Sequence, residues 1–274
     1  MKKHGVKTSR IRLTEIHAKI RPDDGLPEYE DITVELASMS NADWRRMIKF
    51  SWVVMALHSL KLGYFILMYM ADRYGIRYRD LISYISDERI PRAIAPTFYR
   101  ELAYYDAKIE DIMAGRGRAC ELPEFGAIYW DVEEATVLRV SNDLDGFYDE
   151  FRAVLEAFLV DRGIAFDADE LAQAVAFQRM RFPAPTAPIE NARAFDWNFP
   201  EYFEAGHLGK PVTLEPADQT LTLTDPRDFA GDIVRYAREV ILWGRKSDRL
   251  LERATWDGER VGSPVEKFPE VAAN

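Results

Sequence analysis

Apolar positions alternate with polar ones at the start of the chain, and in the middle they thicken into long continuous runs. Near the N-terminus Ile11 and Leu13 alternate with polar residues, and Ile32 to Leu36 in YEDITVELA do so again with β-branched residues, so both stretches predict strands. Helices are predicted over about Asn41 to Tyr74, Tyr78 to Ser86 and Pro96 to Met113, the last opening on a proline suited to a first turn. GRGRACELPEFG reads as a loop and Ala127 to Trp130 as a short strand. In SNDLDGFYDEFRAVLEAFLVDRG, Phe147, Phe151, Val154, Leu155, Phe158 and Leu159 fall on one helical face, and Gly163 ends the element. Asp167 is placed to cap the next helix, ELAQAVAFQRMRF.

A shift comes at FPAPTAPIENARAFDWNFPEYF, whose prolines break helix and predict a linker or surface strap. Beyond it, Val212 to Leu214 and Gln219 to Leu223 read as paired short strands, and DPRDFAGDIVRYAREVILWGRK as a final helix with a basic end. The fold class that follows is mainly α, a helical domain with small β elements at the N-terminus and in the C-terminal tail. Three parts are expected: a strand-containing segment over 1–38, a helical body over 39–182, and a proline-rich strap with short strands and a last helix over 183–274.

The most apolar stretch, WVVMALHSLKLGYFILMYMADRYG from Trp52 to Gly75, has the composition of a membrane span. Lys61 sits near its centre, where a charge costs roughly 2.5 to 3.5 kcal/mol on insertion scales. Upstream, Ser40 and Asp43 form a helix start, so a buried helix, or a helix pair bent near Gly63, is the better expectation. Trp44, Ile48, Ser51, Met55, His58 and Leu62 recur at spacings of four and three, which predicts that this stripe faces the interior. His58 then reads either as a core histidine satisfied by its neighbours or as a polar residue on the floor of a substrate cavity.

Composition narrows the function classes. The 274 residues carry a net charge of −10, which argues against a dedicated nucleic-acid binder, because phosphate recognition needs clustered cations. The N-terminus is rich in lysine and arginine but lacks the apolar run of a targeting peptide, so an ordered strand is expected there. A single cysteine, Cys120, excludes an internal disulfide framework and any self-sufficient thiolate cluster site, and fits a reducing, cytoplasmic setting. Glu133 and Glu134 are adjacent, so they make no facing carboxylate pair and read as a solvated edge. Gly244, Arg245 and Lys246 could hold an anion, although cations at a helix C-terminus are expected on dipole grounds alone. Trp130, Trp197 and Trp243 read as anchors of the core or of an interface. His58, Trp130 and Arg245 are the candidate substrate-facing residues; no catalytic, cofactor-binding or metal-binding set is complete in this chain.

The order DITVELASMSNADW, FSWVVMALHSL, YWDVEEATVL with FYDEF, DWNFPEYF and YAREVILWGRK resembles the C-terminal region of cobalamin-binding-domain radical S-adenosylmethionine proteins, over roughly Lys3 to Lys246. KKHGVKTSRIRL is similar to that family's lead-in to a strand near the end of its barrel, so Met1 is expected to be an internal start or a fragment boundary. The resemblance implies S-adenosylmethionine, an iron–sulfur cluster and cobalamin for the full-length architecture, with a radical barrel and a cobalamin domain as partners in the same gene or as a separate chain. The family's CxxxCxxC is absent here, so no cofactor is expected in this chain alone. Three readings follow. The first is an accessory domain shaping substrate access to such an enzyme. The second is a free-standing helical binding or adaptor protein that has lost the enzyme core, and the third an independent enzyme using His58 with carboxylates from the tail.

Overall fold

Local signals nucleate most of the observed elements. The structure, a computed structural model, describes residues 4–20, 26–186, 190–207, 209–210, 212–224, 227–243 and 254–257. It is mainly α with small β elements. Strands β1 (Lys7–Arg12) and β2 (Tyr29–Glu35) form an antiparallel pair with Ile11 opposite Glu30. Ile11 is fully buried, and Ser9 Oγ donates to the carbonyl of Ile112, so this hairpin is pinned to the helical body.

Helix α1 (Asn41–Val54) starts at the expected capping box, in which the Ser40 side chain accepts from the backbone N–H of Asp43. It runs into a π-helical turn at Met55–Ser59, after which the chain bends by 93° into α2 (Tyr64–Tyr74). The bent pair replaces the continuous helix that periodicity suggests, and it realises the alternative of a break near Gly63. The inward face also differs from the predicted stripe. Trp52, Val53, Ala56 and Leu57 are buried with Trp44 and Leu62, whereas Ser51 and Met55 are exposed. From Trp52 onward the run is apolar on nearly all sides, and spacing alone does not select the face that packs. No single helix among the described residues is long and apolar enough to cross a membrane.

Helices α3 (Tyr78–Ser86) and α4 (Pro96–Met113) have the predicted bounds, with Pro96 in the first turn of α4. The following loop contains a two-residue pair, β3 (Cys120–Glu121) with β4 (Tyr129–Trp130). Next comes α5 (Val132–Val140), which corrects the reading of Glu133 and Glu134 as a solvated edge. Both lie in its first turn and are buried, Glu134 completely. Asp131 caps that helix and Glu134 closes the capping box, a D-x-x-E signature that the sequence carries openly. Helices α6 (Leu144–Asp161) and α7 (Ala168–Arg181) follow, with Gly163 left-handed after α6 and Asp167 accepting two N–H groups at the start of α7.

The expected strap is built differently. It contains β5 (Glu190–Trp197) and α8 (Phe199–His207). Pro183 and Pro185 precede the strand and Pro200 sits in the first turn of α8, positions where proline removes no needed hydrogen bond. β6 (Pro216–Thr224) pairs with β5 on one side and β7 (Ala254–Asp257) on the other, so residues 212–214 are not a partner strand as predicted. The last helix is shorter than expected, α9 (Ile233–Tyr236) continuing as a second π-helical turn to Leu242. One hydrophobic core runs through these elements, from Ile11 and Val34 in the hairpin to Tyr236 and Ile241 at the end.

Candidate functional site

The break between α1 and α2 joins a π-helical turn and a positive φ at Lys61 to the candidate residue His58. In the π-helical turn the N–H of Leu60 donates to the carbonyl of Met55, and the ladder then loosens further, with Gly63 N–H donating to Leu57 at 2.8 Å. Such turns concentrate at functional sites, since the extra residue re-aims the side chains around it. Lys61 then adopts φ 64°, a left-handed conformation costly for a residue with a Cβ. Gly63 is needed for a different reason: a Cβ there would approach the Phe151 ring at 3.0 Å.

Side chains from α6 and α7 hold the break open. Tyr148 donates its hydroxyl to the carbonyl of Leu62 at 2.9 Å. Gln178, buried in α7, donates through Nε2 to the carbonyl of Lys61 and accepts the N–H of Phe65 on Oε1 at 2.8 Å. Gly63 offers α2 no side-chain cap, so Gln178 takes over that role from another helix.

Around this backbone four side chains gather on a half-buried surface. The imidazole of His58 lies edge-on to the Tyr64 ring at 5.3 Å and tilted against the Tyr78 ring at 5.8 Å. The Lys61 ammonium sits 3.8 Å above the Tyr64 ring, a close cation–π contact. Burial, and after it the Lys61 charge, push His58 below its usual value, so its imidazole is neutral at pH 7. Burial likewise raises the Tyr78 phenol, which keeps its proton. The first sequence reading, a core histidine, therefore needs correction: His58 is partly exposed and packs on aromatic faces.

A pH effect follows. Because the folded-state value lies below the unfolded one, the unfolded chain takes up more protons as pH falls through the His58 range, and stability drops. His58→Gln is expected to remove part of the loss between about pH 7 and pH 5, with little change above pH 8, in denaturant titrations at several pH values.

The structure places the other candidates elsewhere. Trp130 is 1% exposed and belongs to the core beside a second histidine, with the His17 ring 5.8 Å from its own. His17 is left-handed at φ 68° and is held against β4 by backbone bonds, among them its own N–H to Tyr129. Its Nε2 is 2.8 Å from Oε2 of Glu134, so the buried carboxylate fixes the ring and ties the N-terminal segment to α5. The sequence does not show this pair, because 117 residues separate its members and adjacent glutamates read as a solvated edge. The Trp130 indole N–H has no hydrogen-bond partner among the described residues. Arg245, with Gly244 and Lys246, lies outside the described residues.

The residues present do not fit the iron–sulfur cluster that the resemblance implies for the whole enzyme. Cys120 pairs into β3 opposite Trp130, and burial holds its thiol above the ordinary range, unlike the thiolate that iron requires. Among the described residues no three His, Cys, Asp or Glu side chains gather as metal ligands.

No family profile matches the chain. It is similar to the 2-(S-pantetheinyl)-carbapenam-3-carboxylate methyltransferase of Streptantibioticus cattleyicolor, with 27% identity over 282 aligned residues. That alignment covers 96% of this chain and 40% of the methyltransferase, so the chain spans well under half the length of the relative it matches.

Proposed function

We propose that this chain is an accessory, substrate-access domain of a cobalamin-dependent radical S-adenosylmethionine methyltransferase. The single observation that carries the reading is the lopsided coverage: the chain aligns almost end to end, yet with only 40% of a methyltransferase. The ordered motifs from DITVELASMSNADW to YAREVILWGRK support the same family. On this reading the barrel with its cluster and the cobalamin domain belong to the rest of the enzyme or to a separate chain, and they supply the radical and methyl-carrier chemistry. This domain would supply shape and polarity at the substrate. The relative's name gives its substrate a carboxylate, and a carboxylate-bearing small molecule is the substrate class we carry over.

The experiment has two arms. The reading frame or operon encoding the chain is expected to encode a CxxxCxxC motif. Anaerobic reconstitution of the chain alone with iron and sulfide should give no stoichiometric cluster and no 5′-deoxyadenosine from S-adenosylmethionine under reduction, because a four-iron cluster with one open iron needs three thiolates and this sequence supplies one. A locus without the motif, or a cluster with cofactor cleavage abolished by Cys120→Ala, would overturn the assignment.

A further inference from the structure

We infer that the cavity beneath the break between α1 and α2 is a dry binding site for one small apolar molecule, and that a guest there is felt by the backbone of the break. The binding chemistry belongs to this chain alone and does not depend on the accessory-domain reading.

The walls come from helices α1, α3, α4, α5 and α6, which converge on a void of about 30 Å³. Leu57 and Leu62, one before and one after the left-handed Lys61, close it from the side of the break. Every lining residue is at most 6% exposed, so the void lies inside the core. Interiors pack densely enough that a void of this size has a cause, and here the walls are fixed from outside. The Phe98 and Phe147 rings stack on each other at 5.1 Å, and the Tyr105 ring packs on Trp52 at 5.4 Å. At the break, Tyr148 and Gln178 hold the carbonyls of Leu62 and Lys61, so neither leucine is free to sink into the space.

Chemistry decides what fills it. By volume a water fits, since about 10–15 Å³ suffices, whereas benzene, which occupies a void of about 150 Å³, does not. A buried water also needs about two to four polar partners, and this void does not offer them. Its surface is carbon almost throughout. The polar residues on its wall turn to one another and to Arg139: the Glu101 carboxylate accepts from Nη2 of Arg139 at 2.7 Å and from Nε at 3.0 Å, and Thr136 donates to the Tyr105 hydroxyl at 3.0 Å. What faces the space is aliphatic and aromatic, with Ala56 on one side and Val140 on another. Such a surface gains dispersion contacts from an apolar guest and loses no hydrogen bond by excluding water. The class of ligand is therefore a compact apolar molecule of about one to three heavy atoms.

Xenon is the probe, dissolved under pressure in a solution of the methyl-labelled chain and followed by NMR. Saturable shifts are expected at the methyl groups of Leu57, Leu62 and Val140 and at the amides of Lys61, Leu62 and Gly63, while Ile11 and Val34 in the hairpin stay unmoved. Water should show no cross-relaxation to the Leu57 or Leu62 methyl groups. Ala56→Val adds two methyl groups at the lining and should weaken xenon at least about tenfold, because guest and side chain compete for one space. Val160→Ala, at an exposed position on α6, should leave xenon binding unchanged. Should Ala56→Val lose its helical circular dichroism, Val140→Ile fills the void from the α5 wall and should weaken xenon as well. Absence of shifts at Leu57 and Leu62, unmoved amides at the break, cross-relaxation from water to the lining methyl groups, or full retention of xenon affinity in the filling variant would each overturn the inference.

Discussion

Gln178→Leu is expected to destabilise the chain by about 3 kcal/mol, because it takes the side-chain partner from the buried N–H of Phe65 and from the part-buried carbonyl of Lys61, at about 1–3 kcal/mol each. In the native chain Oε1 of Gln178 accepts from the N–H of Phe65 and Nε2 donates to the carbonyl of Lys61, both at the break between α1 and α2. Phe65 and Gln178 are each 1% exposed, so water cannot replace the lost partner without opening the core. Leucine adds back apolar volume, and the penalty is therefore one of unsatisfied polarity more than of packing. Gln178→Glu should cost at least as much, since a carboxylate at this 1% exposed position loses its water and cannot donate to the Lys61 carbonyl while it is ionised. Urea unfolding ranks the two variants, and NMR of His58 and Tyr64 reads the site: Gln178→Leu should shift both, although position 178 lies on another helix. A cost below about 1 kcal/mol, or an undisturbed His58, would mean that the break is held by something else.

Gln178 also shows where the sequence stops being legible. Elements announced by local chemistry were readable: the Ser40–Asp43 box, Pro96 opening α4, Gly163 after α6 and Asp167 capping α7 all act within a few residues of themselves. The bend at Met55 to Gly63 has only a weak signal, Lys61 and Gly63 in an apolar run, which allow a bent pair without selecting it over one continuous helix. Apolar residues continue through it, and what stabilises it arrives from Tyr148 and Gln178, 86 and 117 residues away. The same holds for β5, masked by prolines that turn out to precede it, and for its partner β6, which pairs across an intervening helix. α5 is a different kind of miss, because Asp131 and Glu134 display a capping box, whereas the sequence reading weighs only the adjacent Glu133 and Glu134 as a carboxylate pair. At the candidate site His58 and Lys61 stood out as polar residues in an apolar run. Tyr64 and Tyr78 did not, since aromatics in such a stretch are ordinarily core, and only the bend turns them toward the histidine.

The region that hid α5 carries the second large effect. Glu101 on α4 and Arg139 on α5 form a close ion pair, with Oε2 accepting from both Nη2 at 2.7 Å and Nε at 3.0 Å. Their side chains are only 7% and 16% exposed, and Arg139 also covers the Tyr104 ring at 4.3 Å. Thr136 donates to the Tyr105 hydroxyl beside them, and a cavity of about 30 Å³ lies against Glu101, Tyr105, Thr136 and the apolar side chains of Leu57 and Leu62 under the break. Removing one member of such a pair strands the other charge, which costs about 3–5 kcal/mol, whereas replacing both by apolar groups is often near neutral. Glu101→Leu is therefore expected to lower stability by about 3 kcal/mol, at the low end because Arg139 keeps some solvent and its aromatic partner. Glu101→Leu with Arg139→Met should recover most of that loss, since leucine's branched methyl groups can pack against the apolar lining of the adjoining cavity. Urea midpoints for the wild type, both single variants and the double variant close the cycle. If the double variant is less stable than Glu101→Leu alone, the pair is not a compensated buried charge, and the junction of α4 and α5 owes its stability to the Thr136–Tyr105 bond and the packing around the cavity instead.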